Sequence, residues 1–222
     1  GTRTFCALSS DFLTCRAGLI VIAIIVGLAN AALVIGWTGI NPMNISWLDS
    51  DPATYYLSWA FYRREPFWSL PLWWTGRLGY PLGVSIASFD SIPLVAVVLR
   101  PFSSLLPEPF QYLGLYACLC FVLQAYFGMR LCRRLFGANA VFVIAGGLFF
   151  LVSPAITRRG FGHYSLLSHW LILASLDYYF CDTAPVSARQ WLKPHYIILA
   201  LAGAINPYMA ALCFVIALAA LG

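Results

Sequence analysis

Residues 17–39 run without one charged side chain, and about 20 apolar residues in helical form are what a hydrocarbon core of about 30 Å requires. That segment decides the solvent in which the rest of the chain must fold. Only 9% of the 222 residues are charged, against 61% hydrophobic, which is too little charge to solvate a water-soluble globule of this size. We therefore read an integral membrane protein of the all-α class, a polytopic transmembrane helical bundle. Ala29-Asn30-Ala31 has the small-residue look of a signal-peptide cleavage site. The apolar run continues past it, however, so the segment is read as an uncleaved span.

The same length criterion places about five spans, at 17–39, 109–131, 138–156, 166–180 and 195–221. Arg3 and Arg16 precede the first, so the positive-inside rule puts residues 1–16 in the cytoplasm. A first external loop then covers 40–108 and a second covers 157–165. The segment 91–106 is apolar but short, and Arg100-Pro101 interrupts it. With it lying outside, the cytoplasmic side holds Arg3, Arg16, Arg130, Arg133, Arg134, Arg189 and Lys193, seven of the 13 cations. If it spanned, that side would keep chiefly Arg3, Arg16, Arg158 and Arg159, so 91–106 is read as an interfacial or re-entrant helix. Asn206-Pro207 breaks the last segment, because proline frees a backbone carbonyl within the membrane. The chain starts without methionine and stops at Gly222 inside an apolar run, so a single transmembrane domain of a longer protein is expected.

Several functional classes fall away. The net charge of +5 comes from small basic clusters between apolar segments, a pattern that fits membrane lipids as partners and excludes a nucleic-acid surface. Of the seven cysteines, none lies between Gly39 and Tyr116, so the long loop has no disulfide of its own. Cys118 and Cys120 point to different faces of an apolar helix and read as small buried hydrophobes. No nucleophile elbow, zinc-protease helix, phosphate-binding loop or dinucleotide fingerprint is present.

Polar chemistry concentrates in the two external loops. Asp49-Ser50-Asp51 is a D-x-D, whose two carboxylates can share a divalent cation such as Mg or Mn, or divide orientation and proton transfer between them. The bland reading is that Asp51 caps a helix at 52–64, with Pro52 at its first position. Asp90, in SFDSIPL, stands at the start of an apolar helix, where capping is again the plainer role. Arg63-Arg64 and Arg158-Arg159 are external pairs suited to bidentate phosphate binding, or alternatively to pairing with Glu65 and bulk lipid phosphate. His163, in GFGHYS, is a proton carrier, a metal ligand beside Asp49 and Asp51, or a hydrogen-bonding interfacial residue.

These residues carry a resemblance. One span, a long acidic first loop, basic-capped spans and a polar second loop resemble the N-terminal part of the GT-C superfamily of polytopic glycosyltransferases. Asp51-Pro52 with Tyr55, Tyr56 and Tyr62-Arg63 is similar to the first-loop pattern of the catalytic subunit of oligosaccharyltransferase. DSDPATYYLSWAFYR, FDSIPL, PFQYLGLYACLCFVLQAYFG and GHYSLLSHWLIL resemble a family of uncharacterised bacterial membrane proteins grouped with those enzymes. The resemblance implies an enzyme of the bacterial inner membrane that takes sugar from a polyprenyl-phosphate donor at the external, periplasmic face and passes it to an acceptor of unspecified kind. It implies that Asp51, with Asp49, orients or deprotonates that acceptor or helps hold a metal, and that Asp90 and His163 support the site. His163 is a departure, since many relatives have an acid there, and the C-terminal half that completes acceptor binding in them is missing. Displacing a lipid phosphate from an anomeric carbon places negative charge on the leaving group and positive charge on the sugar. The four paired arginines are candidates for the first and Asp51 is the candidate base. The rival class is a non-catalytic lipid-binding or transport protein whose broken last helix lines a path. It gains if the carboxylates lie far apart and loses if Asp49, Asp51, Asp90 and His163 share one pocket at the membrane surface.

Overall fold

The computed structural model describes residues 15–66, 68, 70–181 and 188–220; most of the expected cytoplasmic N-terminus, with Arg3, lies outside them. The fold is mostly helical, and α5 (Leu113–Phe136) is its axis. Three stretches are long and apolar enough to cross a membrane: α1 (Arg16–Val34), α5, and Ala140–Arg159, in which α6 (Ala140–Leu151) passes a break at Val152 and Ser153 into α7 (Pro154–Arg159). Buried residues make up 61% of the apolar window of α5, against 28% and 22% in the other two, so α5 is the helix the others wrap. The outward sides of the wrapping helices carry Leu33, Val141 and Phe149 in the open, as lipid contact allows and water does not.

Small residues set how closely these helices pack. A methyl group on Gly27 would sit 2.6 Å from the backbone of Val122, and one on Gly114 would sit 1.9 Å from the Gly39 carbonyl oxygen. Backbones touch there, as glycine permits between membrane helices. Gly146 and Gly147 likewise accept Cys132 and Met129 of α5. The order of the α1 contacts, Gly39 with Gly114 and Gly27 with Val122, makes α1 and α5 antiparallel. A short α2 (Gly36–Ile40) extends α1. Buried Gln111 fastens this end, donating to the Gly39 and Asn41 carbonyls at 2.9 Å each and accepting from the Gly114 amide at 3.0 Å.

The apolar helical stretches of the remaining expected spans are shorter than a bilayer. In place of a helix over 166–180 there is a 3₁₀ turn, Tyr164–Leu167, and then α8 (Trp170–Tyr179). The ten residues of α8 reach about 15 Å. The last segment divides at Asn206, as the proline predicts, into α9 (Ala188–Ile205) and α10 (Pro207–Ala219). These two pack on each other and on α8, and α8 packs on α5.

Between α2 and α5 lies the long loop, and its interior is not all helix. After α3 (Ser50–Tyr62) come two short antiparallel strands, β1 (Trp74–Thr75) and β2 (Val84–Ser85), paired Trp74 to Ser85 and Thr75 to Val84. Gly79 and Gly83 turn the chain between them with positive φ. Glu65 ties the pair to the end of α3 through the Thr75 hydroxyl at 2.8 Å and the Arg77 amide at 3.2 Å. The segment at 91–106 contains only the seven-residue α4 (Pro93–Leu99) and a 3₁₀ turn, about 10 Å of helix. Arg100 is buried here, donating to the Tyr62 hydroxyl at 3.0 Å with its guanidinium 4.6 Å from that ring.

Candidate active site

The start of α3 differs from the expected cap. Ser50 is left-handed, with φ of +50°, and its amide donates to the Asp49 carboxylate at 2.7 Å. Asp49 is therefore the capping residue and the helix begins earlier than Pro52. Asp51 stands exposed in the first turn, its backbone carbonyl taken by the Thr54 hydroxyl at 2.7 Å. The correction matters chemically, because a carboxylate that does not cap is available to a ligand.

Asp90 also does not cap the helix that follows it. Its own backbone is left-handed, with φ of +57°, and α4 begins after Ile92 with no side-chain cap. The Asp90 carboxylate instead turns inward to the second loop and to the broken last helix. Ser165 donates to it, the Asn206 amide donates to it at 3.1 Å, and the same amide lies 2.6 Å from the Ser165 oxygen. Asn206 serves twice, since its oxygen accepts from the Tyr208 amide at 2.8 Å and caps α10. Asp90 and Asn206 are 116 residues apart in sequence, so this contact closes the long loop against the end of the helical core.

His163 completes the group. Its Nδ1 lies 4.0 Å from Asp90 Oδ2 and 3.5 Å from the Tyr55 hydroxyl. Burial raises the Asp90 pKa above the ordinary carboxylate value. Hydrogen bonds from Ser165 and Asn206 and the nearness of His163 oppose that shift, while the charge of Asp51 adds to it. Burial, then Asp90, then Asp51, push the Tyr55 phenol upward, so it stays a neutral hydroxyl at any physiological pH.

Two cavities meet at Asp51. The larger, about 570 Å³, is lined by Asp51, Tyr55, Asp90, His163, Asn206 and their neighbours. The smaller, about 310 Å³, is lined by Asp49, Asp51 and the Gly160–Phe161–Gly162 turn. Four of the expected site residues, Asp49, Asp51, Asp90 and His163, thus gather in adjoining space. As a metal set they do not close up: Asp49 and His163 line different cavities, and among the described residues no group of three His, Cys, Asp or Glu could hold an ion. A methyl group on Gly162 would meet nothing within 4 Å, which leaves the second loop open to a ligand.

The arginine pairs part company. Arg63 donates to the carbonyls of Ser103, Leu106 and Pro107 at 2.8, 3.0 and 3.1 Å, and Arg64 pairs with exposed Glu108. Both hold the loop together and neither lines the cavities. Glu65, the partner expected for them, faces Arg77 instead. Arg158 and Arg159 end α7 immediately before the glycine turn; they too line neither cavity, and among the described residues they make no ion pair.

Tyr55, Ser165 and Asn206 were not expected in the site. The asparagine before a proline signals a helix cap, but its second hydrogen bond, across the molecule, has no local signature. No curated protein and no solved structure matches the chain. A family model described as a domain of unknown function, DUF6311, matches residues 24–222, from within α1 to the last residue, and takes in every residue of the site. The chain belongs to the DUF6311 family.

Proposed function

We propose that the protein is a GT-C-like glycosyltransferase, or the membrane part of one, that moves a sugar from a polyprenyl-phosphate carrier to an acceptor at the outer face of a bacterial inner membrane. In this reading the chain makes about five crossings, with the shorter helices α8 to α10 completing the bundle. The observation that carries the proposal is the cavity shared by Asp51, Asp90 and His163, three residues from two separate loops. The non-catalytic alternative gains from carboxylates far apart, and the shared lining of Asp51, Asp90 and His163 weighs against it, although Asp49 lines only the adjoining cavity.

Asp51 is the proposed base. It is exposed, spared from capping, and faces both cavities. The acceptor hydroxyl proton passes to the Asp51 carboxylate as the acceptor oxygen bonds the anomeric carbon. The bond from that carbon to the phosphate oxygen breaks, and the electron pair leaves with the phosphate. Asp90, held by Ser165 and Asn206, positions His163 and Tyr55 as neighbouring donors toward the sugar. The phosphate role narrows to Arg158 and Arg159, since Arg63 and Arg64 are committed within the loop. A divalent cation recruited here would draw on Asp49, Asp51 and the phosphate itself, because magnesium sites use one or two carboxylates with substrate oxygens.

The test is sugar release or transfer from a labelled polyprenyl-phosphate sugar by the full-length protein in nanodiscs. Asp51→Asn is expected to lower kcat by about 10²–10⁴-fold, the usual contribution of a general base. Unchanged turnover in Asp51→Asn sinks the assignment. Absence of transfer from every polyprenyl-phosphate donor by wild-type protein sinks the function.

A further inference from the structure

The opposite end of α1 and α5 holds a third cavity, of about 630 Å³, lined by Arg16, Arg130, Arg133, Arg134, Asp177 and the tyrosines Tyr126 and Tyr178 among its walls. We propose that it is a binding site for a phosphate-bearing anion, by its placement the head of an anionic phospholipid. The proposal is independent of glycosyl transfer and needs only the membrane setting of α1 and α5.

Charge is the first argument. Four guanidinium groups face one carboxylate, a balance of +3 among the described residues. Asp177 does not quench them; it orders them. Its side chain is 1% exposed, with Arg130 Nη2 at 2.6 Å and Arg134 Nε at 2.9 Å, so those two guanidiniums are fixed from below. The Tyr126 and Phe127 rings, 5.6 and 5.7 Å from the Arg130 guanidinium, hold it from the side. Among the described residues Arg16 and Arg133 make no ion pair, and both are exposed. Planar guanidinium groups match phosphate oxygens two at a time. The half-negative C-terminal end of α5 opposes an anion, but a fraction of one charge does not overcome three.

Placement is the second argument. Arg16 begins α1 and Arg130 to Arg134 end α5, so the cavity lies at the far end of the antiparallel pair from Asp49 and Asp51. The 19 residues of α1 separate the two ends by about 28 Å, one hydrocarbon thickness. Ile20, one turn into α1 from Arg16, is exposed, giving an acyl chain an apolar surface below the head. Basic pockets between helices at the cytoplasmic surface take anionic lipid heads for this reason.

The test uses the full chain in detergent, exchanged with phosphatidylglycerol, phosphatidylcholine or millimolar inorganic phosphate, with bound lipid counted by native mass spectrometry. Wild-type protein is expected to retain phosphatidylglycerol over phosphatidylcholine. The Arg16→Gln/Arg133→Gln double variant, which breaks no ion pair, is expected to lose that retention by about thirty-fold, the scale for two cations near a lipid surface. Arg77→Gln, in the long loop, leaves it unchanged. Competition by inorganic phosphate identifies a free phosphate ester as the occupant, and lack of competition identifies the lipid. Equal retention of the two lipids by wild-type protein, without competition by phosphate, overturns the proposal, as does full retention by the double variant. If the double variant does not fold, Arg16→Gln alone, on the first residue of α1, gives the same reading at about half the free-energy effect.

Discussion

The Asp90 network makes the sharpest prediction, because two substitutions at one position should move stability in opposite directions. Asp90→Ala removes the oxygen that accepts from Ser165 and from Asn206, and Ser165 is fully buried. A buried donor left without an acceptor costs about 1–3 kcal/mol, and at about 2–4 °C per kcal/mol for a chain of this length the midpoint should fall by roughly 2–12 °C. Asp90→Asn keeps the acceptor and sheds the charge. Since burial raises the folded pKa of Asp90, its contribution to stability is fully present below about pH 3.9, the unfolded value. It is lost as pH rises through the folded pKa. The asparagine pays no such penalty, so at pH 7 Asp90→Asn should match or exceed wild type, with the difference shrinking toward pH 4. Thermal unfolding in nanodiscs at pH 4, 5.5 and 7 measures this. Equal midpoints for the two variants at all three values, or an asparagine variant less stable than wild type at pH 7 only, would refute the burial argument.

Other predictions follow from the same contacts. Gly114→Ala drives a methyl group into the Gly39 carbonyl and should cost about 1–3 kcal/mol, read as a lower midpoint, whereas Gly76→Ala, with open space around it, should be silent. Arg63→Gln releases three carbonyls and should loosen the 100–109 loop, seen as faster proteolysis or amide exchange there. Arg64→Gln should produce no measurable change, because the pair with Glu108 is exposed. Arg158→Gln with Arg159→Gln should raise KM for a polyprenyl-phosphate donor more than it lowers kcat, which steady-state kinetics resolves.

What sequence could reveal divides along local and nonlocal lines. The helices long and apolar enough to cross a membrane follow from uncharged length, and the break at Asn206-Pro207 from the loss of one amide; both are properties of contiguous residues. The shortness of α8 was hidden because Leu166 and Leu167 continue its apolar pattern while folding in a 3₁₀ turn. The strand pair was hidden among aromatic residues that read equally well as interfacial. Asp51 was mistaken for the cap because its proline neighbour is the usual signal, whereas Asp49 takes that role, ahead of the left-handed Ser50. Arg63 and Arg64 read as phosphate ligands because their partners, near Pro107 and Glu108, lie some forty residues away. Asp90 and His163 stood out in their loops, whereas Asn206 read as a helix break alone, and only the folded chain shows that the three share one cavity.

One site at one membrane face, assembled from two separate loops, is the claim on which the rest depends. Single cysteines at Ser50, Gly162 and Arg133 in a background without other reactive thiols, treated with a membrane-impermeant maleimide in intact spheroplasts and inverted vesicles, test it directly. The account predicts that Ser50→Cys and Gly162→Cys label from the same side and Arg133→Cys from the other. Labelling of Ser50→Cys and Gly162→Cys from opposite sides would contradict it.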